Sequence, residues 1–370
     1  MSESTLTSPA TVSSFEVRPS SSPRTVTERA AVLADLRFGT AFTDHMARAV
    51  WTVEEGWHDR RVEAYGPLQM DPAAAVLHYA QEVFEGLKAY AHPDGSVWSF
   101  RPEANAARFA RSAERLALPV LPEQDFLDSL RTLVHTDVEW VPTTPGSSLY
   151  LRPFMFASEA FLGVRAANRV DYLVIASPVG PYFAKGLKPV AIWVSRDYKR
   201  AAPGGTGAAK CGGNYAASLR PQAEAAAKGF DQILFTDASD TYVEELGGMN
   251  VVVVGKDGVA STPRLSGSIL EGVTRSSILT LLTERGLEVR ERDIPVAELI
   301  DGVRSGDVAE VFACGTAAVV SPIGRLAGEG FDLEVGGGEA GPVTEWVHRT
   351  LTDIQYGRAE DSHGWLTRLV

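Results

Sequence analysis

From Leu77 onward the hydrophobic pattern settles into alternating hairpins and helices. Residues 88–100, KAYAHPDGSVWSF, read as two strands flanking a turn at Pro93, Asp94 and Gly95. RPEANAARFARSAERLALP follows as a helix, with Pro102 near its start, Phe109 and Leu116 among its core-facing positions, and Pro119 marking its end. Leu127 to Val134 suggests a further helix, and SSLYLRPFMF and VDYLVIASP suggest strands. After a stretch dense in Pro and Gly, AIWVS, QILFTD and VVVVGKDGVAST read as strands. Helices are expected at Ala216 to Lys228, closed by Gly229, and at Thr274 to Arg285, closed by Gly286.

The pattern predicts an α+β chain of two domains, each a mixed or antiparallel sheet with packed helices. Length agrees, because 370 residues exceed what one hydrophobic core ordinarily serves. We expect a disordered tail over 1–26, a smaller domain over 27–177, an interdomain loop over 178–189, and a larger domain over 190–370. The tail expectation rests on its Ser/Thr/Pro-rich composition, which has no apolar segment of a secretory signal.

Charge and cysteine content narrow the function classes. A net charge of -12 argues against a nucleic-acid footprint, which would need a basic face. Cys211 and Cys314 are too few for a disulfide framework and fit a reducing, cytoplasmic compartment. No apolar run approaches the ~20 residues that span a bilayer. No His/Cys/carboxylate cluster has metal-ligand spacing, so no metal is expected.

Candidate chemistry centres on GGTGAAKCGGNY, residues 204–215. It is not a phosphate loop, since Ala209 and Cys211, rather than Gly and Ser/Thr, flank Lys210. As a bare string it is as readily a flexible loop. Lys210, however, is one of only seven lysines and stands alone among small uncharged neighbours. Such surroundings let a carbonyl-bearing ligand approach and favour the neutral amine of a Schiff-base lysine. The other lysines read as solvated surface.

AAKCGGNYAAS, YVEELGGMNVVVV, SGSILEGVTRSS, VFACGTAAVVSPI, LHYAQEVFEGLKAY and SLYLRPF together resemble the branched-chain aminotransferases of fold-type IV, from about Leu77 to Tyr356 in colinear order. The resemblance implies pyridoxal 5'-phosphate at the domain interface, bound as a Schiff base by Lys210, which would also shuttle the substrate proton. Tyr215 would hydrogen-bond the cofactor phenolate, and Glu245, preferred to Glu244 by its spacing to Met249 and Asn250, would hold the pyridinium. Arg101, the backbone N–H groups of Val273 and Thr274, and the hydroxyls of Thr274 and Thr316 would hold the phosphate. Thr274 could equally be a plain helix cap.

For substrate, the resemblance assigns Tyr79, Tyr150 and Arg152, with the N–H groups of Thr316 and Ala317, to the α-carboxylate. Phe84, Tyr182 and the partner copy's Leu162 and Val164 would line an apolar side-chain pocket, which implies a homodimer. The expected reaction exchanges leucine, isoleucine and valine with 2-oxoglutarate, giving branched-chain 2-oxo acids and glutamate. A Cys-x-x-Cys redox pair found in some relatives is absent, since Ala318 and Ser321 occupy its places. Within the same fold a D-amino-acid aminotransferase or an aminodeoxychorismate lyase stays open. A cofactor-free Schiff-base aldolase would leave Arg101, Glu245 and the EGVT segment without a purpose, and a non-catalytic binding protein would carry no chromophore.

Overall fold

The computed structural model describes residues 14–181 and 187–370. The fold is α+β, built on two nine-stranded sheets. The first runs Glu16–Val17, Gly56–Ala64, His45–Thr52, Arg169–Val179, Ser148–Ala157, Leu87–Ala91, Val97–Phe100, Leu366–Arg368, with Glu82–Phe84 also pairing with Ser148–Ala157. All its pairings are antiparallel except the short Glu16–Val17 edge. The second is mixed, running Val243–Leu246, Gln232–Thr236, Val190–Ser195, Val319–Gly328, Val308–Gly315, Asn250–Gly255, Val259–Pro263, Glu288–Arg292, with Phe331–Glu334 beside Val319–Gly328.

Helices Pro102–Arg115 and Glu123–Thr136 cover the first sheet through Phe109, Phe126 and Leu130, with Phe109 edge-on to Tyr172 at 5.7 Å. A second core spans the two halves. Tyr90 and Phe100 of the first sheet pack with Val252, Ile278, Phe312 and Leu351 from the second and its helices.

Three expected boundaries move. The tail is anchored from Ser14: Phe15 is only 3% exposed within the first core, and Glu16–Val17 pairs with Arg61 and Val62. Thr25 and Glu28 then form a reciprocal capping box that starts the helix Val26–Ala34. A Ser/Thr/Pro-rich average had hidden one apolar anchor and one cap. At the other end, Leu366–Arg368 crosses back to pair with Val97–Phe100, so the last residues belong to the first sheet. The interdomain loop expected over 178–189 is shorter, because Arg169–Val179 takes its first two residues.

Candidate active site

Lys210 sits in the approach to the helix Gly212–Ala227, which begins four residues before the expected Ala216. The Gly-Gly-Asn start has weak helix propensity and concealed the first turn. That turn matters, because it carries Tyr215 back toward Lys210, whose Nζ donates to the Tyr215 hydroxyl at 2.8 Å. The lysine backbone is held from two sides. Its N–H donates to Ser112 Oγ at 3.0 Å, and its carbonyl accepts from the Phe84 N–H at 2.9 Å. Asn214 pins the preceding loop by donating to the carbonyls of Thr206 and Ala209, both at 2.8 Å. Lys210 Nζ also lies 4.9 Å from the centre of the Phe84 ring.

Beyond Tyr215, Glu245 lines a small cavity with Asn214, Gly248 and Leu270. Its carboxylate is 2% exposed and accepts from the Leu270 N–H at 2.7 Å and the Asn250 amide at 3.3 Å. Burial pushes its pKa up to about 7, against the downward pull of Arg200 and the Leu270 N–H. Arg200 Nε lies 3.0 Å from Glu245 Oε2, within ion-pair distance but misaligned for a hydrogen bond. Adjacent strand residues point to opposite faces. Glu244 accordingly leaves this cavity and accepts from the Ser268 hydroxyl instead.

The anion end is a bare helix start. The helix Val273–Glu284 has Gly272 at its N-cap, with no side-chain cap, so Thr274 is not the cap. Its first N–H groups therefore remain available to an anion. Arg101, itself in the left-handed region at φ 50°, reaches across to this turn. Its guanidinium donates to Ser276 Oγ and Ser277 Oγ, both at 2.7 Å. Those hydrogen-bond partners are neutral, and burial lowers its pKa against the upward pull of Glu271.

On the first sheet, Tyr150 and Arg152 share a face, with the Arg152 guanidinium donating to the Tyr150 hydroxyl at 3.0 Å. Arg152 also lies 4.8 Å from the centre of the Phe84 ring, and its buried Nε has no partner among the described residues. Gly86 permits this arrangement, since a Cβ there would collide with the Tyr150 oxygen. Thr316 and Ala317 form the turn between Val308–Gly315 and Val319–Gly328. Tyr79 takes another place than expected. It hydrogen-bonds the Leu162 carbonyl and shares an exposed patch with Leu162 and Val164, rather than joining Tyr150. Tyr182 lies outside the described residues.

Three groups near this site escaped the sequence reading. Glu85, fully buried, takes two hydrogen bonds from Arg108 at 2.7 and 2.8 Å, while Arg108 also donates to the Glu271 carbonyl at 3.0 Å. That pair ties the Phe84 strand to the segment leading into the anion-binding turn. Arg200 beside Glu245 carries no sequence signal, being one arginine among many. Lys88 is not solvated surface: it is buried, and its Nζ donates to the Ala317 carbonyl at 2.9 Å. Its place in a strand, where alternate residues face inward, was the available clue.

With this geometry in view, comparison with known proteins decides the family. The family model for amino-transferase class IV matches residues 82–326. The chain belongs to the class IV aminotransferases. It is 52% identical over 360 residues to a branched-chain-amino-acid aminotransferase of Mycolicibacterium smegmatis, covering 96% of this chain and 98% of that protein. It is 53% identical over 361 residues to a probable branched-chain-amino-acid aminotransferase of Streptomyces coelicolor, covering 97% and 99%. Among solved structures, the Escherichia coli branched-chain amino acid aminotransferase superposes with a TM-score of 0.71 at 30% identity, covering 88% of this chain and all of that one. A T.th. branched-chain amino acid aminotransferase, solved with pyridoxamine 5'-phosphate, superposes at 0.72 with 28% identity, covering 88% and 99%.

For a class IV aminotransferase the implied group is pyridoxal phosphate, and the residues present fit it. An amine, an acidic group with a hydrogen-bonded neighbour, an arginine bonded to neutral hydroxyls and an uncapped helix start match an aldehyde, a pyridinium and a phosphate in turn. Among the described residues no helix is long and apolar enough to cross a membrane.

Proposed function

We propose that this aminotransferase uses pyridoxal 5'-phosphate to exchange the amino groups of leucine, isoleucine and valine with 2-oxoglutarate, as a cytoplasmic homodimer. The observation that carries the cofactor assignment is the Lys210–Tyr215 hydrogen bond of 2.8 Å beside the buried carboxylate of Glu245. The names of the relatives support the branched-chain substrates.

Lys210 would anchor the cofactor, with Tyr215 at its phenolate oxygen, Glu245 at its ring nitrogen, and Arg101, Val273, Thr274 and Thr316 at its phosphate. Bound there, pyridoxal phosphate supplies the carbonyl that an amine condenses with and a sink for the electron pair left at Cα. The chain's residues do the rest. Lys210, freed by the incoming amine, is the base at the substrate Cα, and Tyr215 orients its nitrogen. Glu245 in its ionised form keeps a positive charge at the far end of the site. Tyr150, Arg152 and the Thr316–Ala317 turn would hold the α-carboxylate, with Arg152 Nε offering a spare donor. Phe84 would wall the side-chain pocket. Tyr79 is bonded to the Leu162 carbonyl and would travel with Leu162 and Val164 into the neighbouring copy's site.

The test is spectroscopic. Purified protein should absorb in the visible as a Schiff base, and leucine alone should bleach that band. A colourless protein that stays colourless with added pyridoxal phosphate would overturn the reading.

A further inference from the structure

Lys88 faces into the protein from the strand Leu87–Ala91, directly opposite Tyr150 on the neighbouring strand. Paired strand residues share a face, so the ammonium lies on the side of the sheet that carries Tyr150 and Arg152. It reaches the other sheet, where Nζ donates to the Ala317 carbonyl at 2.9 Å. Lys88 is only 9% exposed and forms no ion pair with any described residue. A buried cation held by one neutral carbonyl is costly, and such groups persist where they serve a site.

The carbonyl it holds belongs to a turn under strain. Gly315 and Val319 are the last paired residues of their hairpin, leaving Thr316, Ala317 and Ala318 to cross between them. Val319 closes the turn at φ +62°, a left-handed conformation that β-branched residues rarely adopt. Strained backbone of this kind persists where surrounding contacts over-determine it, and it clusters at ligand clamps. A peptide's C=O and following N–H point in opposite directions, so fixing the Ala317 carbonyl fixes the Ala318 N–H and the plane between them.

We propose that Lys88 is a positioning residue for the substrate carboxylate, holding the Thr316–Ala318 turn in the orientation in which its N–H groups receive that anion. The inference rests on the reading of the turn as part of the α-carboxylate site. Lys88 also places a positive charge behind the turn, which draws an anion toward its front. The charge is titratable: burial pulls the pKa down to about 8. The other ionisable groups around it are Tyr90, His348, Tyr356 and Arg358, which line one cavity of about 160 Å³ with it, and Tyr150 across the strand. His348 is held below its ordinary value by burial, Arg358 and Lys88 itself, while burial raises Tyr356 to about 12 and also lifts Tyr90 well above its ordinary value. Loss of the Lys88 charge near pH 8 is therefore read as a fall in affinity that Lys88→Met abolishes.

The test uses the cofactor-loaded enzyme and an unreactive carboxylate, 4-methylvaleric acid, whose binding needs no turnover. The wild type's Schiff-base absorbance is read first, so that a failure of the site reading is separated from a failure of this inference. Lys88→Met should weaken 4-methylvalerate binding and raise the KM for 2-oxoglutarate together, roughly tenfold, while kcat changes less than about threefold. Its Tm should stay level or rise, because a buried charge has been removed. Wild-type affinity should fall as pH climbs through 8, and Lys88→Met should show no such fall. Lys88→Arg, which keeps a cationic donor, should recover part of the affinity. Unchanged carboxylate binding in Lys88→Met would overturn the proposal. So would a joint collapse of Tm and cofactor absorbance in both Lys88→Met and Lys88→Gln, which would make the residue purely structural.

Discussion

Lys210 and Tyr215 face one another at 2.8 Å because the helix carrying the tyrosine begins two residues after the lysine. One helical turn thus sets an amine against a phenol with no intervening loop to relax. The pairing also holds the amine against Tyr215, which lines the same cavity as Glu245.

Replacing Lys210 with Ala should abolish the visible Schiff-base band and lower transamination by at least roughly three orders of magnitude, the range removed with a positioned general base. Borohydride reduction followed by peptide mapping checks the anchor. A reduced adduct on any other lysine would reassign it.

Glu245 should leave a signature in the cofactor-free protein. Its folded pKa near 7 lies above its unfolded value, so the folded state binds its proton more tightly. The stabilisation from that proton is complete below the unfolded pKa and disappears as pH rises through about 7, amounting to about 3 kcal/mol at most. Glu245→Gln cannot lose the proton. Its Tm relative to wild type should therefore climb between about pH 4.5 and 7 and level off above. In the loaded enzyme the same change should cost roughly 10²–10³ in kcat. A Tm difference independent of pH would show that Glu245 ionises freely in the fold.

The sequence exposed the parts of this site that sit on regular elements. The hairpin about Gly95, the helix from Pro102 and the strands around Tyr150 and Val251 follow from period and turn residues, and the structure has all of them. It concealed what depends on tertiary partners. Lys88 looks like any strand lysine until the Ala317 carbonyl from the other sheet is beside it. Phe15 is one apolar residue in a polar tail, and only the core it enters makes it an anchor. The Glu85–Arg108 pair joins residues 23 apart whose types alone suggest solvent. Tyr79 was read beside Tyr150 by resemblance, whereas its hydroxyl bonds the exposed 162 loop.

Arg101 predicts a selective loss. Removing a charged hydrogen-bond donor costs ~1.5–3 kcal/mol, so Arg101→Met should weaken pyridoxal phosphate binding by about 10–150-fold. Pyridoxal, which lacks the phosphate, should bind wild type and variant alike. Titration of the visible band with each compound makes the comparison, and equal losses for both would place the phosphate elsewhere.

The exposed loop argues for a second copy. Leu162 is 61% and Val164 86% exposed, beside Phe161 and Tyr79. Apolar groups clustered this way mark an association surface. Leu162→Asp with Val164→Asp should give monomers in sedimentation velocity and lose activity together with dimer mass. Fully active monomers would exclude a contribution from the neighbouring copy.

Substrate choice is the most exacting prediction. Phe84 presents its ring to Lys210 at 4.9 Å, so whatever amino acid reaches the lysine must pack its side chain against an aromatic wall. Aliphatic donors should therefore exceed alanine and aspartate. One buried methylene is worth only ~1–3 kcal/mol, so leucine, isoleucine and valine should differ in kcat/KM by no more than about 10–200-fold. Glutamate must enter the same site in the return half-reaction, and its second carboxylate needs a donor there. Arg152 is the described group placed to give one, since its Nε has no hydrogen-bond partner among the described residues and its guanidinium already flanks Phe84. Arg152→Lys should then raise the KM for 2-oxoglutarate more than that for 4-methyl-2-oxopentanoate, because a lysine cannot offer two donors in a plane. Single-turnover bleaching of the visible band by each amino acid, followed by recovery with each 2-oxo acid, resolves both questions. A D-amino acid or an aromatic donor outpacing leucine would leave the cofactor site standing and remove the branched-chain assignment.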